Sequence, residues 1–439
     1  MAHAARKADL SSTLADANIR LDGGVESIVR NAWIVGGVGI VAALAWAFLS
    51  GSGAERIGRV WIVTYSFVLS IALGGLFFTI VQHLTRAGWS VVVRRIAEAY
   101  AANLRWMWLL FAVPVLLLLV TGKFGYVFPW ADLAHMREVH PDEATLVEKK
   151  TAYLNVPFFL LRSTAYLAIW AALGWFFWRR STEQDADGGI AATERMQRWA
   201  PAGIILFGLS TTFAAFDWIM SLNPAWFSTI FGVYFFAASC TSAFAAMIVA
   251  LVLLERRGKL VGVVTAEHFQ DLGKLLFAFG IVFWAYIAFS QYMLIWYSNQ
   301  PETTGWYIAR QMGGWKWLSI ALLFGHFVIP FLLLVSKHPK RYTTTLLFVA
   351  AWMLVFSWLD LYWLVMPQIP EGLATATSYR ALAEENAGVS TRLADPLNWL
   401  ALLGFVGLFV GSTLRTLAGH ALIPVRDPRL AESLAFENM

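Results

Sequence analysis

Ten apolar runs dominate the sequence, at roughly residues 31–49, 59–83, 104–121, 156–178, 199–220, 225–254, 272–298, 316–336, 342–366 and 396–417. Each approaches or exceeds the roughly 20 residues that an α-helix needs to cross a hydrocarbon core. Within lipid every backbone N–H and C=O must be bonded inside its own helix or in a closed barrel, and the two-residue alternation of barrel strands is absent. The chain therefore reads as an all-α membrane protein with about ten transmembrane helices. Its 59% hydrophobic and 14% charged residues are far from the balance of a soluble domain.

Positive charge separates the two sides. With the N-terminus inside, 22 of the 33 Lys and Arg fall on the cytoplasmic side, ten fall opposite, and Arg162 lies within a span. The positive-inside bias then predicts that both termini are cytoplasmic. The net charge of +5 reflects loops facing anionic lipid rather than nucleic acid. Residues 1–30 mix Asp9, Asp16, Asp22 and Glu26 with their basic residues, unlike a short basic signal-peptide start. They read as a cytoplasmic segment leading into an uncleaved helix.

Two related stretches organise the middle of the chain. FAAFDWIMSLNP (213–224) closes the fifth run and FSWLDLYWLVMP (356–367) the ninth, with Phe, Asp and Pro recurring at the same spacing. Four spans separate them, as a parallel internal repeat requires. We expect two four-helix bundles, spans 2–5 and spans 6–9, with peripheral first and last helices. The corresponding boundaries are a cytoplasmic segment 1–30, a first transmembrane helix 31–57, a first bundle 58–224, a second bundle 225–366, an outer loop 367–395, and a last helix with its cytoplasmic tail 396–439. The outer loops 122–155 and 367–395 are long enough to pack against an extramembrane partner, and 299–317 reads as an aromatic interfacial segment. Residues 87–103 read as an amphipathic helix on the cytoplasmic surface, with Arg94, Arg95 and Glu98 on its wet side.

Ionisable groups inside spans cost about 2.5–3.5 kcal/mol on insertion scales and usually face a bundle interior. Arg162, Asp217, His326 and Asp360 occupy such positions. Arg162 and Asp217 lie at similar depth on consecutive antiparallel helices, where an ion pair is expected; it is either structural or functional. His326 can approach Asp360 through Gln291, Tyr292 or a water, but the favoured reading is a buried histidine satisfied by a neighbour. Tyr65, Ser66, Tyr166, Tyr234, Ser239 and Ser290 extend this proton-relay set. Asp360, with no basic neighbour except His326, is the better proton carrier of the two aspartates.

Redox centres are hard to build from these residues. Cys240 is the only cysteine, which leaves no disulfide, iron–sulfur cluster or covalent haem. His326 is the only histidine deep in a span, which argues against bis-histidine haem. His135, Glu138, His140 and Asp142 cluster in a loop, but their spacing matches no specific metal site. Most of the 22 Trp read as interfacial anchors, while Trp218, Trp284 and Trp358 are candidates for lining a pocket for a flat apolar ring.

The stretches LGKLLFAFGIVFWAYIAFSQYMLIWYSNQPETTGWY (272–307) and FDWIMSLNPAWFSTIFGVYFF (216–236) resemble the polysulfide-reductase NrfD-like membrane family, nearest its ActF-type branch in bacterial alternative complex III. The resemblance covers most of the chain, with AFSQYMLIWYSNQPE as its most specific run. It implies a subunit of a quinol-oxidising respiratory complex in the bacterial inner membrane, with no redox centre of its own, supporting proton translocation and a candidate for quinone or quinol binding. The implied partners are a paralogous NrfD-like membrane subunit, an extramembrane iron–sulfur subunit, haem c subunits, lipids and a terminal oxidase. Of the polar residues, the resemblance carries only Asp217, Asp360 and His326. The competing expectations are a stand-alone proton-coupled transporter and a purely structural scaffold.

Overall fold

A computed structural model describes residues 13–139, 141–370, 373 and 378–438. His140 and most of residues 371–377 lie outside the described residues, as do residues 1–12 of the N-terminal segment. Among the described residues the regular structure is helical, with no strand; two residues, Arg20 and Ala421, form an isolated bridge. Among the described residues, ten helices are long and apolar enough to cross a membrane. They are span 1 (Val25–Leu49), span 2 (Ala54–Leu84), span 3 (Val91–Val120), span 4 (Val156–Asp187) and span 5 (Ala191–Leu222), then span 6 (Phe231–Arg256), span 7 (Ala266–Ser298), span 8 (Gly313–Leu334), span 9 (Thr343–Val365) and span 10 (Pro396–Leu417). Each apolar run of the sequence corresponds to one of them.

Burial orders the spans. The apolar window of span 2 is 94% buried and that of span 6 is 72% buried, against 22% for spans 1 and 4. Spans 2 and 6 therefore form the centre, packed against each other, with span 5 against both and span 9 also reaching both. Span 3 packs on span 4 and span 4 on span 5, while span 7 packs on span 6 and span 8 contacts spans 7 and 9.

Spans 1 and 10 pack chiefly on each other. Close approach explains why: a Cβ on Gly39 would lie 2.7 Å from the Gly404 nitrogen, and one on Gly407 would lie 2.8 Å from the Gly36 nitrogen. Without a hydrophobic force between helices in lipid, small residues that admit backbone contact supply the packing. Asp395 caps the start of span 10 by accepting from the Leu397 N–H at 2.9 Å, with Pro396 in the first turn, a favourable helix start. It also accepts from Arg56 at 2.8 Å and from the Trp46 indole at 3.0 Å, so one carboxylate ties span 10 to spans 1 and 2.

The expected surface helix at 87–103 is not on the surface. Val91–Ala102 is buried along its whole length and forms the first part of span 3. Arg94 pairs with Glu98 at 2.9 Å and with Asp427 of the C-terminal tail at 2.7 Å, and Arg95 pairs with Asp185 at 2.8 Å. The tail also supplies Ser433, which accepts from the Val92 N–H and donates to the Trp89 carbonyl. An amphipathic pattern reports a polar face without saying whether water or protein meets it. Here opposite charges from span 4 and the tail take the place of water.

Candidate functional site

The two repeated aspartates are both fully buried, in different surroundings. On span 4 the Asn155 side chain accepts from the Phe158 N–H at 3.0 Å and starts the helix. That fixes Arg162 about two turns inside, facing span 5. Arg162 Nε and Nη2 donate to the two oxygens of Asp217 at 2.8 and 2.9 Å, and Nη1 donates to the Tyr153 carbonyl at 2.9 Å. The Tyr166 hydroxyl adds a third donor to Asp217 at 2.8 Å. The guanidinium is covered by the rings of Tyr153 at 3.7 Å and Phe158 at 4.2 Å. A planar fork matched to a carboxylate, with its third nitrogen bonded to a backbone carbonyl, is a strong and geometrically specific pair.

Asp360 of span 9 has no such partner. Its oxygens accept from the Tyr234 hydroxyl of span 6 at 2.7 Å and from the Trp284 indole of span 7 at 3.1 Å. No Lys, Arg or His among the described residues is within salt-bridge distance of it. Both donors are neutral, so this carboxyl is positioned by hydrogen bonds alone.

His326 reaches this site by an unexpected route. Its ring lies flat on Trp284, with centroids 3.8 Å apart and planes 2° from parallel. Neither ring nitrogen has a hydrogen-bond partner among the described residues, the Gly280 carbonyl being the backbone group that faces it. Two local features bring the rings together. Leu276–Phe283 in span 7 and Leu323–Val328 in span 8 are π-helical, a wound-out geometry often found at functional sites. Gly325, next to His326, lies where any Cβ would collide with the Phe356 ring of span 9, so glycine lets spans 8 and 9 close on the site.

The proposed links through Gln291 and Tyr292 are not formed. Gln291 accepts from Ser228 at 2.9 Å and donates to the Tyr307 hydroxyl at 3.1 Å. Tyr292 is 38% exposed and meets Tyr307 edge-on at 5.1 Å. Trp284 occupies the place between His326 and Asp360 that these residues were expected to fill. Of the other relay residues, Tyr166 and Tyr234 each bond an aspartate, whereas Ser239 bonds its own helix at the Phe235 carbonyl. The Tyr65 hydroxyl is buried with no partner among the described residues.

Behind Tyr234 and Trp284, spans 6–9 and the segment between spans 7 and 8 line a half-open cavity of about 650 Å³, with Tyr234, Trp284, Tyr292, Tyr307, Arg310 and Trp363 among its walls. Tyr234 and Trp284 thus touch the carboxyl on one side and the cavity on the other. Arg310 is the residue that sequence reasoning missed, having been assigned to an interfacial loop. It is 1% exposed and donates to the carbonyls of Trp306 at 2.7 Å, Trp363 at 3.1 Å and Leu364 at 2.8 Å. Its guanidinium stacks 3.2 Å from the Trp306 ring. Two of these carbonyls end span 9, where a cation meets the negative pole of the helix. Burial without a carboxylate holds the Arg310 side chain well below the usual arginine range. The sequence signal was an arginine set among aromatics in GWYIARQMGGWKW.

Among the described residues no three His, Cys, Asp or Glu side chains are grouped to hold a metal ion; His140 of the loop cluster lies outside them. No family model matches the chain, and no curated protein does.

Proposed function

We propose that this chain is a membrane subunit of a quinol-oxidising respiratory complex of the alternative complex III type, in which Asp360 exchanges protons beside a quinone-sized cavity. The observation that carries the reading is Asp360 itself, a buried carboxyl with no counter-charge, held by Tyr234 and Trp284, the two residues that separate it from an aromatic cavity. Intramembrane carboxyls of this kind mark proton or substrate pathways. A carboxyl free of an ion pair can gain or lose a proton without dismantling one.

The cavity suits a quinone by size and chemistry. Ligand cavities of about 300–1,000 Å³ with mostly apolar walls and a few placed polar groups are typical of small-molecule sites. Tyr292, Tyr307 and Gln311 supply hydroxyl and amide donors along largely apolar walls that also carry Arg310. A quinol bound there would release two protons together with its two electrons. Asp360 would take up one of them and pass it on, with Tyr234 reorienting its hydroxyl and the Trp284–His326 stack holding the indole in place. Electrons would leave through partner subunits, an extramembrane iron–sulfur protein and haem c proteins beside a paralogous NrfD-like membrane subunit.

The two-bundle arrangement that this reading assumes meets along spans 2 and 6, which pack on each other at the centre of the molecule. Arg162 and Asp217 occupy the place in the first bundle that Asp360 occupies in the second. Purification from native membranes in mild detergent tests the assignment. Co-purifying haem c and iron–sulfur subunits, together with ubiquinone or menaquinone retained by the wild type and lost on Trp284→Ala, are the expected results. A chain that isolates alone and transports a solute would replace this reading with a proton-coupled transporter. A complex whose turnover and proton release are unchanged by Asp360→Asn would reduce the chain to a scaffold.

A further inference from the structure

A second cavity, of about 310 Å³, lies at the end of span 5, away from the Asp360 site. It is lined by residues that include Lys149, Lys150, Phe216, Met220, Trp226 and Phe227. The two lysines end the helical loop that leads into span 4, and Trp226 and Phe227 lie on the turn between spans 5 and 6.

The charges around this cavity are unbalanced. Lys150 Nζ donates to the Pro224 carbonyl at 2.7 Å and sits 5.8 Å over the Phe227 ring, which leaves two of its N–H groups unassigned. Lys149 is exposed, and neither lysine forms a salt bridge among the described residues. The nearby carboxylates are already engaged, Glu148 by Arg137 at 2.7 Å and Asp217 by Arg162 at 2.8 Å. Burial with no anion beside it holds the Lys150 ammonium below the usual lysine range. Trp226 is 2% exposed and stacks on Trp306 at 4.4 Å. Its indole N–H has no acceptor among the described residues.

The apolar side of the cavity leads to the lipid face. Phe216 meets Phe213 edge-on at 6.0 Å, and Phe213, Leu209 and Leu161 are 41%, 56% and 66% exposed on the outward faces of spans 5 and 4. The site therefore combines unpaired cations at the mouth, an unused N–H donor in the wall, and an apolar strip running down a membrane-facing helix.

We propose that this cavity binds one anionic phospholipid, its phosphate between Lys149 and Lys150 and an acyl chain along Phe216 and Phe213. Basic pockets at helix ends recognise anionic headgroups in this way, each nearby Lys adding to the attraction. Aromatic and lysine side chains have both an apolar body and a polar tip suited to that boundary. The neighbouring Arg162–Asp217 pair would then sit beneath a fixed lipid headgroup.

The test uses the full-length chain in neutral detergent, offered equal amounts of phosphatidylglycerol and phosphatidylcholine with matched acyl chains, with bound lipid counted by native mass spectrometry. The wild type is expected to retain phosphatidylglycerol on the order of tenfold over phosphatidylcholine. Lys149→Gln, at an exposed position that folding does not need, lowers that preference several-fold, and Lys149→Gln/Lys150→Gln brings it to parity. Trp226→Phe, which keeps the ring stack on Trp306 and removes the unused N–H, lowers it by roughly threefold. Equal retention of the two lipids by the wild type, or an undiminished preference in the double lysine variant, overturns the proposal. Competition by inorganic phosphate at the same concentration as the lipid also overturns it, in favour of a free-anion site.

Discussion

Asp217 and Asp360 occupy corresponding places in the repeated FxxxD motif, yet the first is clamped by a guanidinium and the second by a phenol and an indole. The difference lies in which neighbouring helices supply the partners, span 4 for Asp217 and spans 6 and 7 for Asp360. Span 4 offers Arg162 to Asp217, whereas span 8 offers His326, whose ring stacks on Trp284 and leaves Asp360 to neutral donors. Repetition of a motif fixes where a buried acid sits; its partners decide whether the acid anchors two helices or carries a proton.

The largest effect expected from this contrast is on stability. Arg162→Ala leaves Asp217 buried without its partner and should cost about 3–5 kcal/mol, measured as denaturant or thermal unfolding in detergent. Replacing both residues, as in Arg162→Met/Asp217→Leu, should recover most of that loss, because the pair and a well-packed apolar substitute are of similar worth. If the double replacement is as unstable as the single one, the pair is more than an anchor.

Asp360→Asn should cost less, about 1–2 kcal/mol, since one hydrogen bond is mismatched and no charge is stranded. The chain should keep its fold and lose proton-coupled turnover in the assembled complex. A loss of stability equal to that of Arg162→Ala would erase the contrast. Smaller again is Trp284→Phe, which removes the N–H donor to Asp360 while keeping a ring for His326 to stack on, at about 1 kcal/mol. Here the informative readout is quinone retention beside unfolding, since Trp284 lines the cavity as well.

Asp395 provides a third aspartate outside the spans for calibration. Burial pushes its carboxyl up, but the Leu397 N–H, Arg56 and Trp46 outweigh this and hold it below the usual aspartate range. A depressed value means the stabilisation is complete above the unfolded pKa of about 3.9 and is lost as pH falls through the folded value. Asp395→Asn should remove that acid-side loss and lower neutral stability by ~1 kcal/mol or less, as for a partly exposed pair.

The number and order of the helices were legible in the sequence because lipid permits little else for long apolar runs. So was the Arg162–Asp217 contact, since depth along consecutive antiparallel helices follows from residue counts alone. The partners of Asp360 were not. Which ring faces it depends on the rotation of spans 6 and 7 and on π-helical turns that shift the register by a residue, and neither leaves a mark in hydropathy. Arg94, Arg95 and Glu98 misled for a related reason, because their neutralising partners Asp185 and Asp427 are far away in sequence. Arg310 was hidden by its setting: a charge in an aromatic loop looks interfacial until the loop folds inward over the end of span 9.

The central claim, that Asp360 rather than Asp217 exchanges the proton, is most directly tested by infrared difference spectroscopy of the reconstituted protein. The measurement is the deuterium-sensitive C=O stretch of a protonated carboxyl, followed as pH is changed. The band should disappear in Asp360→Asn and persist in Arg162→Met/Asp217→Leu. A band that survives Asp360→Asn and is lost when the Arg162–Asp217 pair is replaced would contradict the account.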